Sequence, residues 1–387
     1  MKPVAARMGD IQPFHVMDIL ARARALEARG RSIIHLEIGE PDFPTAPQIV
    51  AAGIRALEEG RTQYTPALGL PALRAAIAAS YPEPGRPGPE RVAVTPGASG
   101  ALQLLLGVLI DPGDAVLMAD PGYPCNRHFV RLFDGRPGLI PVDAASDYQL
   151  TAELVERHWT KRTRAVLLAS PANPTGTLIA PTEMARIIAL AEARGAVVIV
   201  DEIYHGLTYD AEAASAVMLS DRVFVVNSFS KYYGMTGWRV GWLVAPEEYI
   251  ADIDKLAQNI FLAASTPAQH AALAAFEPSV VAELERRRRV FRERRDYLLP
   301  ALRDLGFRIP VTPQGAFYLY ADSSALSDDS ESLAVELLEQ AGVAITPGLD
   351  FGRHRPKQHV RFSYANTLDK LREAVRRIAR HLGRTPG

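Results

Sequence analysis

Lys231 is the residue of this sequence whose neighbours most invite chemistry. It closes the segment Asn227-Ser228-Phe229-Ser230-Lys231, directly after the apolar run 223–227. A lysine at the end of a buried strand has its stem out of water, which lowers its pKa and leaves an amine able to attack a carbonyl. Taken alone, a lysine is ordinarily a solvated surface residue. Here Ser228 and Ser230 flank it, and Arg239 follows eight residues later, after Gly234 and Gly237. Two hydroxyls, a lysine and an arginine among small residues can hold a phosphate monoester. A reactive amine beside a phosphate site suggests a phosphorylated aldehyde as its partner.

Asp201 ends the run Ala-Val-Val-Ile-Val. A carboxylate at the end of a buried strand is costly unless it meets a cation. An arginine, a helix N-terminus or a protonated ring nitrogen would each serve. Two further polar segments follow apolar runs, Thr95-Pro96-Gly97-Ala98-Ser99 and Ser170-Pro171-Ala172-Asn173-Pro174-Thr175-Gly176. Such positions matter because ligands of open parallel sheets bind outside the carboxyl ends of the strands. Singly, each segment is bland. Asn173-Pro174-Thr175-Gly176 is a turn signal, and Pro174 excludes glycosylation of Asn173.

The elements that must position these residues are legible as alternation. Short runs rich in Val, Leu and Ile at 91–95, 115–119, 164–170, 196–201, 223–227 and 240–244 read as buried strands. Helical patterns at 99–110, 181–194 and 247–261 lie between them, with Pro181 a start signal and Gly195 a stop. Strands alternating with helices imply a mostly parallel sheet covered on both faces. The last hundred residues differ: a long charged helix at 283–302, a strand near 317–320, a helix at 332–342, a strand at 359–363 and a final helix at 368–382. That pattern reads as a smaller α+β domain, joined by roughly the first forty residues. The Ser/Asp-rich patch 322–332 reads as a surface loop. The expected boundaries are 1–45 for the N-terminal arm, 46–280 for the large domain and 281–387 for the small one.

Composition excludes several alternatives. The chain has 387 residues, 48% hydrophobic and 22% charged, which is ordinary globular composition. Lys plus Arg is 43 and Asp plus Glu is 44, so a nucleic-acid-binding basic face is not expected. One cysteine rules out a disulfide framework and a CxxC pair, and fits a reducing cytoplasm. The charge-free runs 92–110 and 256–276 are broken by Pro, Gly, Gln and Asn, so they read as buried segments, not membrane spans, and the N-terminus lacks a signal-peptide pattern. There is no Walker A loop, no GxGxxG and no HExxH, the nine histidines show no metal spacing, and Gly97-Ala98-Ser99-Gly100-Ala101 misses the GxSxG elbow at its last position. No metal is expected. Arg286–Arg289, continued by Arg292, Arg294 and Arg295 and interleaved with Glu and Asp, reads as a solvated helix face. His205 reads as a supporting or surface residue and Cys125 as an inert buried thiol.

Taken together, the segments resemble a known family. Ser228-Phe229-Ser230-Lys231 through Met235-Thr236-Gly237-Trp238-Arg239-Val240-Gly241-Trp242 is similar to the lysine motif of class I/II pyridoxal-phosphate aminotransferases. Asn173-Pro174-Thr175-Gly176, Asp201-Glu202-Ile203-Tyr204, Arg361-Phe362-Ser363, Gly39-Glu40-Pro41-Asp42-Phe43 and Tyr64-Thr65-Pro66 are similar to that family's other motifs, in the family's order. The resemblance implies the type I pyridoxal-phosphate fold, an α/β architecture with a mostly parallel central sheet plus a smaller α+β domain. It also implies a homodimer with shared active sites, which the single cysteine places in the cytoplasm.

Roles follow from the resemblance alone. Lys231 would bind pyridoxal 5'-phosphate covalently and shuttle the α-proton. Asp201 would hold the pyridine nitrogen protonated. Tyr204 and Asn173 would bond the ring's phenolic oxygen, and Tyr123 would stack on the ring. Ser228, Ser230 and Arg239 would bind phosphate, helped by the N–H groups of Ala98 and Ser99 at a helix start, with Tyr64 reaching the neighbouring subunit's phosphate. Arg361 would clamp the substrate α-carboxylate with a forked hydrogen bond, with Gly39 and Asn173 beside it. Asp120-Pro121 and Asn173-Pro174 would be cis. The implied activity is ping-pong transfer of an amino group from an α-amino acid to a 2-oxo acid. A C–S β-lyase on the same fold is the alternative. A PLP-binding regulator would need a DNA-binding domain, and a structural protein would have lost Lys231 or Asp201. Some relatives carry a lysine for a distal carboxylate where this chain has Ser99, and Phe14 and Met17 in the segment 12–17 favour an apolar side chain, so the expected substrate is neutral or apolar.

Overall fold

The computed structural model describes residues 4–384. The ends of the expected arm and small domain, residues 1–3 and 385–387, lie outside the described residues. In chain order the strands are β1 Ile34–His35, β2 Val92–Thr95, β3 Ala115–Asp120, β4 Arg136–Pro141, β5 Thr163–Ala169, β6 Val197–Asp201, β7 Phe224–Ser228, β8 Gly241–Val244, β9 Tyr318–Asp322, β10 Val343–Ala344, β11 Thr346–Pro347 and β12 His359–Ser363.

Seven of them form one sheet in the order β2-β8-β7-β6-β5-β3-β4. Only β8 runs against its neighbours; the other pairings are parallel. Because successive strand residues face opposite ways, an all-apolar run fills two cores. Val198 and Val200 join one apolar cluster and Ile199 the other; Leu117 and Val116 divide in the same way. Helices cover both faces, as the uninterrupted Val/Ile/Leu runs require. The one strand of this sheet missing from the sequence reading, β4, is Arg-Pro-Gly-Leu-Ile-Pro. Its prolines and glycine hide the strand signal, and they are tolerated because it is an edge strand.

A second body contains the three-stranded antiparallel sheet β11-β12-β9 and the pair β1-β10. Its core draws Ile19, Ala23, Ile34 and Leu36 together with Phe291, Leu298, Phe317 and Phe362. The helix Pro278–Asp304 spans both bodies: Val280 and Leu284 pack with the large sheet's core, Phe291 and Leu298 with the smaller one.

Two expectations are corrected here. The arginine-rich helix is not simply a solvated face: Arg287, Arg294 and Arg295 are buried. Each has fixed acceptors, including the Pro44 carbonyl for Arg287, both Asp42 oxygens for Arg294 and the Pro313 carbonyl for Arg295. The patch 322–332 is not all surface loop either. Ser323 and Ser330 are fully buried, and Ser330 opens the helix Ser330–Glu336. Small hydroxyls can be buried once bonded, and Ser330 donates to the Pro356 carbonyl.

Candidate active site

With β8 alone reversed, the carboxyl ends of β2, β3, β5, β6 and β7 share one edge with the start of β8. The segments leaving that edge line a cavity of ≈ 520 Å³. Among its walls are Lys231, Asp201, Tyr204, Asn173, Tyr123, Ala98, Ser99, Ser230, Arg239, Arg361 and Gly39. Of the sequence-derived site residues, two stand apart. Ser228 is buried behind Ser230, its hydroxyl donating to the Val240 carbonyl (3.1 Å) and accepting from the Ser230 hydroxyl (2.9 Å). Tyr64 is 82% exposed on the surface of the single chain. The expected cis bonds Asp120-Pro121 and Asn173-Pro174 are present, with two others at Glu83-Pro84 and Ser170-Pro171.

Two glycines allow the helix Gly97–Leu109 to start flush against Arg239. Gly97 has φ +72°, and a Cβ there would sit 2.6 Å from Arg239 Nη2. A Cβ on Gly241 would sit 2.7 Å from the Gly97 carbonyl carbon and 2.8 Å from the Ala98 nitrogen. Arg239 itself adopts φ +56°, and its Nη1 donates to the Thr236 carbonyl at 3.0 Å. A helix N-terminus, a serine hydroxyl and a guanidinium therefore converge as an anion cradle.

Lys231 Nζ donates to the Gly39 carbonyl at 2.6 Å. Burial, reinforced by the positive charge of Arg361, pulls its pKa down to about 8. Burial pushes Asp201 up to about 6, opposed by the Ile203 N–H that donates to Oδ1 at 3.0 Å. A buried carboxylate held in this way calls for a cation beside it. Burial likewise raises the phenol of Tyr123 and that of Tyr204, whose hydroxyl shares a 2.9 Å hydrogen bond with Tyr318.

Arg361 is buried. Its Nη1 donates to Asn173 Oδ1 at 2.9 Å and its Nη2 to the Glu37 carbonyl at 2.6 Å. The guanidinium lies between two rings, 4.2 Å from the Tyr318 centroid and 4.9 Å from that of Phe351. Its Nε is buried without a partner, a donor waiting for an acceptor. The loop carrying Gly39 is held from below by the buried arginines. Arg294 forks onto Asp42 at 2.7 and 2.9 Å, and the Phe43 ring lies 5.2 Å from Arg287 and 5.0 Å from Arg294.

Sequence reasoning missed Tyr318, Phe351 and Asp350 in this cavity. Tyr318 joins the Tyr204 hydroxyl to the Arg361 face, and a Cβ on Gly39 would sit 2.6 Å from its hydroxyl. An aromatic on a short apolar strand reads as core; only its partners mark it. Among the described residues, no group of three or more His, Cys, Asp or Glu is arranged to hold a metal, and no helix is long and apolar enough to cross a membrane.

A lysine with a lowered pKa, a buried carboxylate calling for a cation, a glycine-framed anion cradle and an arginine with an unused donor fit pyridoxal 5'-phosphate and an amino acid. Fold and site thus define a pyridoxal-phosphate-dependent enzyme with a mostly parallel α/β large sheet. The chain belongs to the aminotransferase class I and II family, whose model matches residues 31–378. The enzyme is therefore an aminotransferase that depends on pyridoxal phosphate and acts on amino and oxo acids. It is 39% identical to a valine–pyruvate aminotransferase of Mycobacterium tuberculosis over 97% of each chain. It is 36% identical to a (5-formylfuran-3-yl)methyl phosphate transaminase of Methanocaldococcus jannaschii, over 98% of this chain and all of the other. The solved structure of Thermus thermophilus aspartate aminotransferase with maleate superposes with a TM-score of 0.92 at 34% identity, over 98% of this chain and 100% of that one.

Proposed function

We propose that the enzyme moves the amino group of a neutral or apolar α-amino acid to a 2-oxo acid by a ping-pong mechanism. The observation that carries this reading is the charge inventory of the cavity. Its cationic residues are Lys231, Arg239 and Arg361, against Glu40, Asp201 and Asp350. The first two serve the cofactor and the third the α-carboxylate, so the described residues of this chain put no further cation on the cavity wall for a second carboxylate. Ser99, at the position the family resemblance compares with a lysine, is uncharged, and Phe14, Val16, Met17, Ile38, Leu102 and Phe351 supply apolar wall.

When bound, pyridoxal 5'-phosphate supplies an aldehyde for the amino group and a ring that accepts the electrons left at Cα. Arg239, Ser230 and the N–H groups of Ala98 and Ser99 would hold its phosphate, with Ser228 fixing Ser230 from behind. Asp201 would keep the ring nitrogen protonated, Tyr204 and Asn173 would bond its phenolic oxygen, and Tyr123 would cover the ring. Lys231, neutral above about pH 8, would take the Cα proton at Nζ and give it up again from the same atom. Arg361 holds the α-carboxylate with Gly39 and Asn173 beside it, fixing which bond at Cα meets Lys231. Donor and acceptor use this site in turn, which is the basis for ping-pong kinetics.

The same proposal includes a homodimer, supported by exposed Tyr64 and by Ile54 and Leu57 exposed on the helix Pro47–Glu58. It includes the division into 1–45 with 281–387 and 46–280, supported by the separate cores. It also includes a cytoplasmic location, supported by the single cysteine.

The test mixes holoenzyme with single amino acids, without any oxo acid, and follows the cofactor's visible absorbance. Loss of that absorbance with valine, leucine or alanine but not with aspartate is expected. Preferential conversion by aspartate would overturn the neutral-substrate reading. Release of a thiol, pyruvate and ammonia from cystathionine or a cysteine conjugate, with the absorbance retained and no conversion by the other amino acids, would favour the C–S β-lyase reading instead.

A further inference from the structure

We infer that Asp350 is a latch holding the segment 14–17 over the cavity, and so a specificity-determining position for the substrate side chain. The first backbone N–H groups of a helix need acceptors. The helix His15–Glu27 has no side-chain cap of its own: Phe14 occupies its N-cap, and its side chain has no acceptor to offer. Asp350 supplies both. Its Oδ1 accepts from the His15 N–H at 2.6 Å and its Oδ2 from the Val16 N–H at 2.9 Å, across 335 and 334 positions of sequence.

Three pieces of the molecule meet at this residue. Asp350 is buried, its carbonyl accepts from Arg127 Nη2 at 3.0 Å, and its neighbour Phe351 lies against Arg361. Ile19 and Ala23 are the helix's only buried residues, and its other polar ties are exposed ones away from its first turn: Glu27 to His35 at 3.1 Å at the far end, and Asp10 to Arg131 at 2.6 Å ahead of it. The His15 ring lies 3.7 Å from Glu331, a part-exposed pair that contributes little. Phe14, Val16 and Met17 nevertheless line the cavity, with Met17 55% exposed. A segment with few buried contacts opens locally unless something ties it down. Asp350 is that tie, and a positioning residue: it sets where the apolar lid lies. The inference rests on the reading above that the substrate side chain meets this lid.

The test compares wild-type, Asp350→Ala and Asp350→Asn holoenzymes with alanine, whose methyl is too short to use the lid, and with leucine. Chymotryptic cleavage after Phe14 is followed in parallel. For Asp350→Ala we expect the leucine-to-alanine ratio of kcat/KM to fall about tenfold, in line with the loss of an N-cap, mostly through KM, with faster cleavage. Asp350→Asn, which keeps one acceptor oxygen, should recover part of both. An unchanged ratio with unchanged cleavage overturns the latch. So does an equal loss on both amino acids, which would put the effect at Arg361 through Phe351. Should the Asp350 variants fail to fold, Phe14→Ala must lower the same ratio, and an intact ratio there overturns the lid. If the wild type converts aspartate and neither alanine nor leucine, the substrate reading fails on its own. The latch then stands or falls on whether Asp350→Ala speeds cleavage after Phe14.

Discussion

The two halves of the cavity are built differently. The half around Lys231, Asp201, Asn173 and Arg239 comes from segments leaving adjacent strands of one sheet, with buried residues behind it. The half around Arg361, Gly39, Asp350 and Phe14 comes from chain segments hundreds of residues apart, joined by hydrogen bonds such as Lys231 to Gly39 across 192 positions and Arg361 to Asn173 across 188. The first half is as rigid as the sheet that carries it. The second depends on how two bodies and an N-terminal helix dock. Chemistry common to every substrate belongs on the first, and discrimination between side chains can be retuned on the second without disturbing it.

Changes in the first half should therefore affect all amino acids alike, and changes in the second should sort them. The largest effect is expected from Lys231→Ala. Removing the amine that moves the proton should lower transamination of every amino acid by at least about 10⁴-fold, measured in single-turnover assays. A loss confined to some amino acids would break the comparison. Arg361→Lys keeps the charge but loses the forked geometry and the stacking between Tyr318 and Phe351. We expect kcat/KM to fall roughly 10²–10³-fold for all α-amino acids, carried mainly by KM. Little change would mean that the α-carboxylate is held elsewhere.

Asp201 provides a test that needs no substrate. Its folded pKa of about 6 lies above the ordinary 3.8 because of burial. In the cofactor-free protein its stabilising contribution is present below about pH 4 and lost as pH rises through about 6. At about 1.4 kcal/mol per unit, Asp201→Asn should stabilise the cofactor-free protein at pH 8 by up to about 3 kcal/mol, with the gap closing toward pH 4. Thermal unfolding across that range reads it, and a pH-independent gap would refute the assignment of the shift to Asp201. For Lys231, the neutral fraction falls as pH drops below about 8. Covalent capture of pyridoxal phosphate by the cofactor-free protein should slow by up to about tenfold per pH unit below that point, as followed by stopped-flow absorbance. The smallest effect is expected from Ser99→Lys, which should raise aspartate turnover about tenfold or less by supplying the missing cation. No gain would separate the neutral-substrate reading from Ser99.

By itself the sequence determined the alternating elements and the cofactor half. Six of the seven strands of the large sheet lie within a residue or two of their expected bounds, and Lys231, Asp201 and Asn173 follow their strands as expected. These are local facts: periodicity reports burial, and a parallel strand's carboxyl end is a binding edge wherever the strand lies in the sheet. Only the tertiary structure decided that Arg287 and Arg294 would be buried under the Gly39 loop and Arg295 against the Pro313 carbonyl, because a charge can be buried only where distant acceptors arrive to meet it. The same holds for Tyr318 beneath Arg361 and for Asp350 on the His15 helix. Partners more than 300 residues apart leave no periodic trace, since packing, not the local backbone, chooses them.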